Sequence, residues 1–495
     1  MEKDEKERVR FTRIGISNLL LRLFIAPISF IFTFLVARYL SNYPYNETYF
    51  AAWQTLYVFT IGYFTIPADL FSLITSRYSA EKRSVGGIVL LNLLSGILAS
   101  MIFIVLVPYY MFLTKLNIPL YFYSAVSLIV LTYLLKITNA IAQGRTPKIV
   151  GVSATIFQIL RLASGLIFMY IYNFSILAVI LAYDIGYLAQ ILFNLFFIRA
   201  NLKIDFKIAI AALRKSLVYI ASYLQYILEA SIVWIALAIT ESNLIVAYFE
   251  SAVIISNIQI WSQSAYTGLM AKLAEDKNPS TISNAIKLYS LAGSLFLMII
   301  YLDGYGLLHK LRPDYTAAII ALYILTFSNF IRGIYTIFYQ SITMVDKTLS
   351  VESKEEFKGY VARLTTMNMG LSLIGLGISS LLIYLLSSYP PYIIAGVMSI
   401  GILTNSFSML FTSYKTSKSL YNFSFPKREF LLPLALGIIA IPFSMLYKPV
   451  SFLSMGSYAL LGILVFSVIN YFGNPYGKQI IITAIREFKQ KHVSI

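Results

Sequence analysis

A few ionisable residues sit inside long apolar runs of this chain, and their types and depths set the chemistry open to it. A charge at the centre of a bilayer costs at least about 2.5–3.5 kcal/mol, so such residues mark cavities or ion pairs more often than accidents. Arg161 lies about 12 residues from the end of its run and Arg332 is similarly deep; at 1.5 Å per helical residue neither reaches an aqueous surface easily. Arg22 lies about 8 residues into the first run, shortly before Pro27, whose ring and missing N–H kink a helix and make a hinge there. Lys136 is nearer an end, where its long stem could carry the ammonium to the headgroups or into a cavity. Arg38 and Lys287 read as interfacial anchors.

The acids admit two roles. Glu229 is central in its run, Asp184 and Glu250 lie in outer halves, and Asp69 follows Pro67 near an inner end. Paired with Arg22, Arg161 or Arg332 they would only neutralise the cations. Unpaired, they could bind H⁺ or Na⁺ and couple movement of a solute to a gradient.

Other chemistry has little to work with. The chain has no Cys, which removes disulfides and thiolate ligands, and only His309 and His492 supply imidazole. It contains no Walker A, Gly-x-Ser-x-Gly or Gly-x-Gly-x-x-Gly pattern and no His-rich metal spacing. No catalytic residue, metal or cofactor is expected. The net charge of +17 is spread over short loops between apolar runs, which reads as membrane topology and not as a nucleic-acid surface.

These residues need membrane-spanning helices to position them. Hydrophobic residues make up 58% of the 495 and charged ones 12%, far from the balance of a soluble domain. A helix needs about 20 apolar residues to cross the hydrocarbon, and fourteen runs qualify: 14–39, 48–73, 85–113, 120–142, 149–172, 175–198, 217–240, 243–270, 284–302, 315–345, 361–387, 391–414, 430–446 and 450–472. The first is too long for a signal-peptide core and is expected to be retained. Alternate loops carry 29 Lys and Arg on the side of the N-terminus and 4 on the other, which predicts both ends in the cytoplasm and an even span count.

A weak repeat divides the chain. Tyr49-Phe50 and Tyr248-Phe249 open the second and eighth spans, and Leu94-Ser95-Gly96 corresponds to Leu291-Ala292-Gly293, at offsets of 199 and 197 residues. The expected organisation is an all-α polytopic membrane protein: a six-helix lobe (1–198), a cytoplasmic interfacial linker helix (199–216), a second six-helix lobe (217–427), two additional helices (428–472) and an amphipathic tail (473–495).

The stretch Arg13-Ile-Gly-Ile-Ser-Asn-Leu-Leu-Leu-Arg22 through Phe34-Leu-Val-Ala-Arg38-Tyr-Leu40 resembles the opening of Wzx-type polysaccharide flippases. The junction Ala142-Gln-Gly-Arg145-Thr-Pro-Lys148, with Arg161 downstream, and Gln340-Ser-Ile-Thr-Met-Val-Asp-Lys347-Thr are similar to two further junctions of that family. It belongs to the multidrug, oligosaccharidyl-lipid and polysaccharide (MOP) exporter superfamily. The resemblance implies two six-helix lobes around a cationic cavity, with Arg22 as the main phosphate-binding residue and Arg161, Arg332 and Lys136 in support. It implies a flippase moving an oligosaccharide on a polyprenyl or dolichyl phosphate carrier by alternating access, for cell-surface polysaccharide or protein glycosylation. Its partners would be that lipid, surrounding membrane lipids and H⁺ or Na⁺ as coupling ion, with no nucleic acid, in a monomer at the plasma membrane.

Two rivals stand beside it. A small-molecule or drug antiporter of the same superfamily would use the acids as its main site. A membrane glycosyltransferase or polymerase would need an acidic site in a sizeable outside loop, and every outside loop is short. The sequons Asn46-Glu-Thr48 and Asn173-Phe-Ser175 fall in outside loops and Asn422-Phe-Ser424 in an inside one; outside glycans would suit an archaeal or eukaryotic cell, and the expectation is a prokaryotic, by preference archaeal, plasma membrane.

Overall fold

A computed structural model describes residues 15–18, 20–21, 25, 27–29, 31–36, 38–40, 47–114, 116–198, 202–276, 278–480 and 482. Every regular element among them is helical. Backbone N–H and C=O groups in hydrocarbon have no water to bond, so a chain this apolar satisfies them within helices. Thirteen described helices are long and apolar enough to cross a membrane, from Val58–Ala80 to Phe452–Gly473, and a shorter apolar helix, Pro27–Leu40, precedes them. The protein is a polytopic, all-helical membrane protein. Within the expected first span, 14–39, residues 14, 19, 22–24, 26, 30 and 37 lie outside the described residues, as does the tail beyond 482.

In chain order the principal helices are α1 Glu47–Tyr57, α2 Ile66–Ala80, α3 Gly86–Thr114, α4 Val126–Arg145, α5 Ile149–Leu166, α6 Ile176–Phe197 and α7 Phe206–Ser216. There follow α8 Ile220–Thr240, α9 Asn243–Ser256, α10 Leu269–Asp276, α11 Pro279–Leu311, α12 Ile319–Val345, α13 Tyr360–Leu385, α14 Pro391–Tyr421, α15 Lys427–Leu446 and α16 Phe452–Gly473. Local sequence sets several ends. Proline stands in the first turn of α2, α11 and α14, where its missing N–H costs nothing. The Asp205, Asn278 and Ser451 side chains accept from free amides at the starts of α7, α11 and α16. Asn422 closes α14 in the left-handed region, at φ 47°.

The chain divides into two compact units. One comprises Met1–Ile220, Met270–Asp276 and Lys347–Gly359; the other comprises Ala221–Leu269, Lys277–Asp346 and Tyr360–Ile495. In the first, α4 packs on α2, α3 and α6, and α5 on α6. The α2–α4 contact is close because Gly144 has no side chain: a Cβ there would lie 2.2 Å from the Ser76 carbonyl oxygen. The Ser79 hydroxyl donates to the Ile141 carbonyl across the same contact, at 3.0 Å. In the second unit α12 packs on α14, α11 on α15 and α16, and α13 on α14.

Two spans are not regular. Between α1 and α2 the second span runs through a π-helical stretch, Val58–Gly62, and a 3₁₀ turn, Tyr63–Thr65. The eighth span passes from α9 into a ten-residue 3₁₀ stretch, Asn257–Tyr266. Runs of either kind this long are uncommon and mark hinges or strain. Shifted by the 199-residue offset expected from the sequence, 58–65 falls on 257–264, so the two irregular stretches overlap at that offset.

At its loop end the first unit gathers a set of polar contacts. Arg77 pairs with Glu81 at 2.8 Å, and Arg83 pairs with Glu81 and Glu352, each at 3.0 Å. The Tyr78 hydroxyl donates to the Leu349 carbonyl at 3.1 Å, and Lys215 Nζ to the Ser353 carbonyl at 2.7 Å. Burial opposes the charge on Arg83, but hydrogen bonds to Glu352 and Glu81 outweigh it and raise the pKa above its ordinary value. The backbone amide of Glu352 and then the Arg83 guanidinium hold the Glu352 carboxyl below the ordinary carboxylate range.

Candidate functional site

The deep charges fall into separate polar nodes, each within one unit. In the second unit Arg332, on α12, brings Nη2 to 2.6 Å from Glu229 Oε2 on α8, while its Nε donates to Ser406 Oγ on α14 at 2.8 Å. Glu229 Oε1 accepts from Gln225 at 2.9 Å, one helical turn earlier, and also from Asn405 Nδ2. Asn405 donates to Ser372 Oγ at 2.8 Å as well. The Glu229 carboxylate is thus ringed by donors, as an ionised group in a low-dielectric setting requires.

A small pocket opens beside this node. It is lined by Glu229, Ser372, Gly375, Ser379, Gly401 and Asn405, among others, and has space for a species about the size of a water molecule. Asn405 is 4% exposed, and its Oδ1 has no hydrogen-bond partner. Chemically the node can hold a small cation or a proton at the carboxylate, in competition with Arg332.

The first unit holds two nodes of different kinds. Lys136 Nζ, on α4, lies 2.7 Å from Asp69 Oδ2 and 2.9 Å from Thr65 Oγ1. Pro67 starts α2 here, which puts Asp69 in the first helical turn, where a carboxylate suits the exposed amides. Arg161, on α5, is 4% exposed and has no carboxylate partner among the described residues. Its guanidinium carbon instead lies 4.3 Å from the Phe32 ring centre, 4.7 Å from that of Tyr183 and 4.9 Å from that of Phe157. Nη2 donates to Gln158 Oε1 at 2.6 Å and to Ser29 Oγ at 3.3 Å; the buried Nε has no partner. An aromatic box is one way to hold a cation without a counter-ion.

The remaining acids stand apart from the cations. Asp184 accepts from Ser127 Oγ at 2.6 Å through Oδ2, and its Oδ1 is unpartnered. Glu250 is exposed on α9. Of the interfacial anchors, Lys287 pairs with Glu429 at 2.8 Å and Arg38 is exposed. Arg22 lies outside the described residues; Pro27 is described and exposed at the start of its short helix.

Sequence reasoning missed four contributors. Gln225, Ser372, Asn405 and Ser406 complete the shell around Glu229 and Arg332; the adjacent Asn405-Ser406 pair inside an apolar run was the readable signal. It also missed Asp303, which is 6% exposed with an unpartnered Oδ1. The expected ninth span stopped at 302 because of that charge, whereas α11 continues to Leu311.

No protein-family model matches the chain, and no curated protein matches it either. Solved structures do. A MATE in complex with MaD5 superposes with a TM-score of 0.62 at 14% identity, over 84% of this chain and 96% of that one. An outward-facing multidrug resistance MATE family transporter of the MOP superfamily gives 0.56 at 15% identity, over 83% and 97%. The chain has the fold of MOP-superfamily MATE transporters. A third such structure, a MOP superfamily transporter from Pyrococcus furiosus, gives 0.53 at 14% identity, over 83% and 96%, and is described as having a binding pocket of reverse polarity that suggests a different function. Pocket polarity therefore varies within this fold. The neighbours are matched almost end to end, while about a sixth of this chain lies beyond the match.

Proposed function

We propose that the protein is an ion-coupled exporter of small organic solutes that works by alternating access, and not an enzyme. The observation that carries this reading is that Arg332 and Lys136, two of the cations expected to receive a phosphate, each already have a carboxylate within 2.7 Å. A paired cation offers little to an anionic headgroup, because an incoming phosphate must first displace the carboxylate. The acids then become the active partners. A proton or Na⁺ at Glu229 would release Arg332 from its 2.6 Å contact, leaving Ser406 as its remaining neighbour. Ion binding would thus be converted into a rearrangement of α8, α12 and α14. The fold neighbours support the reading, since one is described as a multidrug resistance transporter. The protein would act as a monomer in the plasma membrane, with both ends in the cytoplasm.

A second reading keeps the lipid-linked oligosaccharide as substrate. It is favoured by Arg161, which has aromatic rings around it and no carboxylate partner among the described residues. Arg161 with Arg22 would then hold the carrier phosphate.

Purified protein in liposomes separates the two. Gradient-dependent movement of organic solutes, with no translocation of a labelled polyprenyl-phosphate oligosaccharide, is the expected result. Translocation of that lipid without any solute movement would reverse the order of the readings.

A further inference from the structure

The helix α7, Phe206–Ser216, plays no part in the nodes above, yet it presents an apolar stripe that is exposed among the described residues. Ala209, Ala212 and Ser216 are buried, and α7 packs on α2 and α3. Its seat requires the Gly86-Gly87 pair, since a Cβ on Gly86 would lie 2.0 Å from the Leu202 carbonyl oxygen and one on Gly87 2.9 Å from Ala209 Cβ. The side about a quarter turn away carries Phe206, 67% exposed, Ile210, 50%, and Leu213, 43%. Lys207 and Arg214 are exposed as well. At 3.6 residues per turn the three apolar residues fall within about 60° of one another, and the two cations fall within about 20° of each other along one edge of that stripe. The helix runs through Leu217–Tyr219 into the span, and the whole run Phe206–Thr240 is 35 residues, about 52 Å at 1.5 Å per residue, longer than the roughly 30 Å of hydrocarbon, so α7 at its start falls at the membrane surface.

An apolar stripe at that level, edged by aligned cations, matches a leaflet surface carrying negative headgroups. We propose that α7 is a binding site for anionic phospholipid: Phe206, Ile210 and Leu213 enter the interface, and Lys207 and Arg214 hold the headgroup phosphates. This inference is independent of which solute the protein moves.

The chain has no cysteine, so a dye can be placed at Ile210→Cys alone in the full-length protein. In phosphatidylcholine nanodiscs, energy transfer from that dye to fluorescent phosphatidylglycerol should saturate and exceed transfer to fluorescent phosphatidylcholine. Lys207→Gln and Arg214→Gln should each weaken the half-point roughly five-fold. Equal transfer to the two lipids overturns the proposal. So does a half-point unmoved in the double variant, or displacement of the signal by soluble inorganic phosphate, which would indicate a site for the free ion. A dye at Ile210→Cys that stays in water, or is covered by a bound protein, also overturns it. If the charge variants fail to fold, the comparison of the two lipids on Ile210→Cys alone still decides.

Discussion

Arg332 and Glu229, 103 residues apart, meet at 2.6 Å between α12 and α8, and the carboxylate is held by amide donors on its other oxygen. Their side chains are 26% and 11% exposed, so water screens the pair only in part. Removing one member strands the other. Glu229→Gln and Arg332→Gln should each destabilise the protein by about 3 kcal/mol, and the double variant by less than the sum. Chemical unfolding of the four proteins in detergent checks this. Additive losses would mean that the two residues act separately.

The Lys136–Asp69 pair should behave differently. Its members are 22% and 37% exposed, and the Lys136 ammonium also has the Thr65 hydroxyl. Asp69→Asn should cost only about 1 kcal/mol. The same unfolding measurement compares it with Glu229→Gln, and an equal or larger loss at Asp69 would contradict the ranking.

Arg161 depends on ring faces. Phe157→Leu should lower stability by about 1–2 kcal/mol through lost cation–π attraction and packing. Arg161→Lys should not preserve stability, because a flat guanidinium lies on several rings at once whereas an ammonium is a compact, strongly hydrated point charge. Thermal unfolding that leaves Arg161→Lys unchanged would show that stacking is not what holds this cation.

The loop 347–359 should loosen in acid. Glu352 has its pKa lowered from the ordinary 4.5, by its own backbone amide first and then by Arg83. A group lowered in the folded state contributes stability above its ordinary pKa and loses it as pH falls through the lowered value. Hydrogen exchange of this loop should therefore be protected at neutral pH and lose protection below about pH 4.5. Glu352→Gln should be weakly protected at both. Equal protection of the two proteins at neutral pH would remove Glu352 from this contact.

The spans were legible because a bilayer demands about 20 apolar residues whatever the partner helices are. Charge misled at Asp303, where a helix that continues to Leu311 was expected to stop, and at Lys415, where a span expected to end at 414 continues to Tyr421. Pairing was much less legible. Lys136 and Asp69 are 67 residues apart, and which acid meets which cation depends on how four helices pack in depth and rotation. Arg161 shows the limit most clearly: its spacing suggested a carboxylate or a phosphate, and three aromatic rings from α5, α6 and the Pro27–Leu40 helix surround it instead. The irregular stretches at 58–65 and 257–266 left no mark beyond Pro67, since π and 3₁₀ turns lack a strong composition of their own.

The central claim is that the carboxylate at Glu229 couples an ion gradient to solute movement. The most direct measurement is solute flux in liposomes carrying the purified protein while an imposed H⁺ or Na⁺ gradient is reversed. Flux should reverse with the gradient in the native protein and become independent of it in Glu229→Gln. Flux that ignores the gradient in the native protein, or that still follows it in Glu229→Gln, would contradict the account.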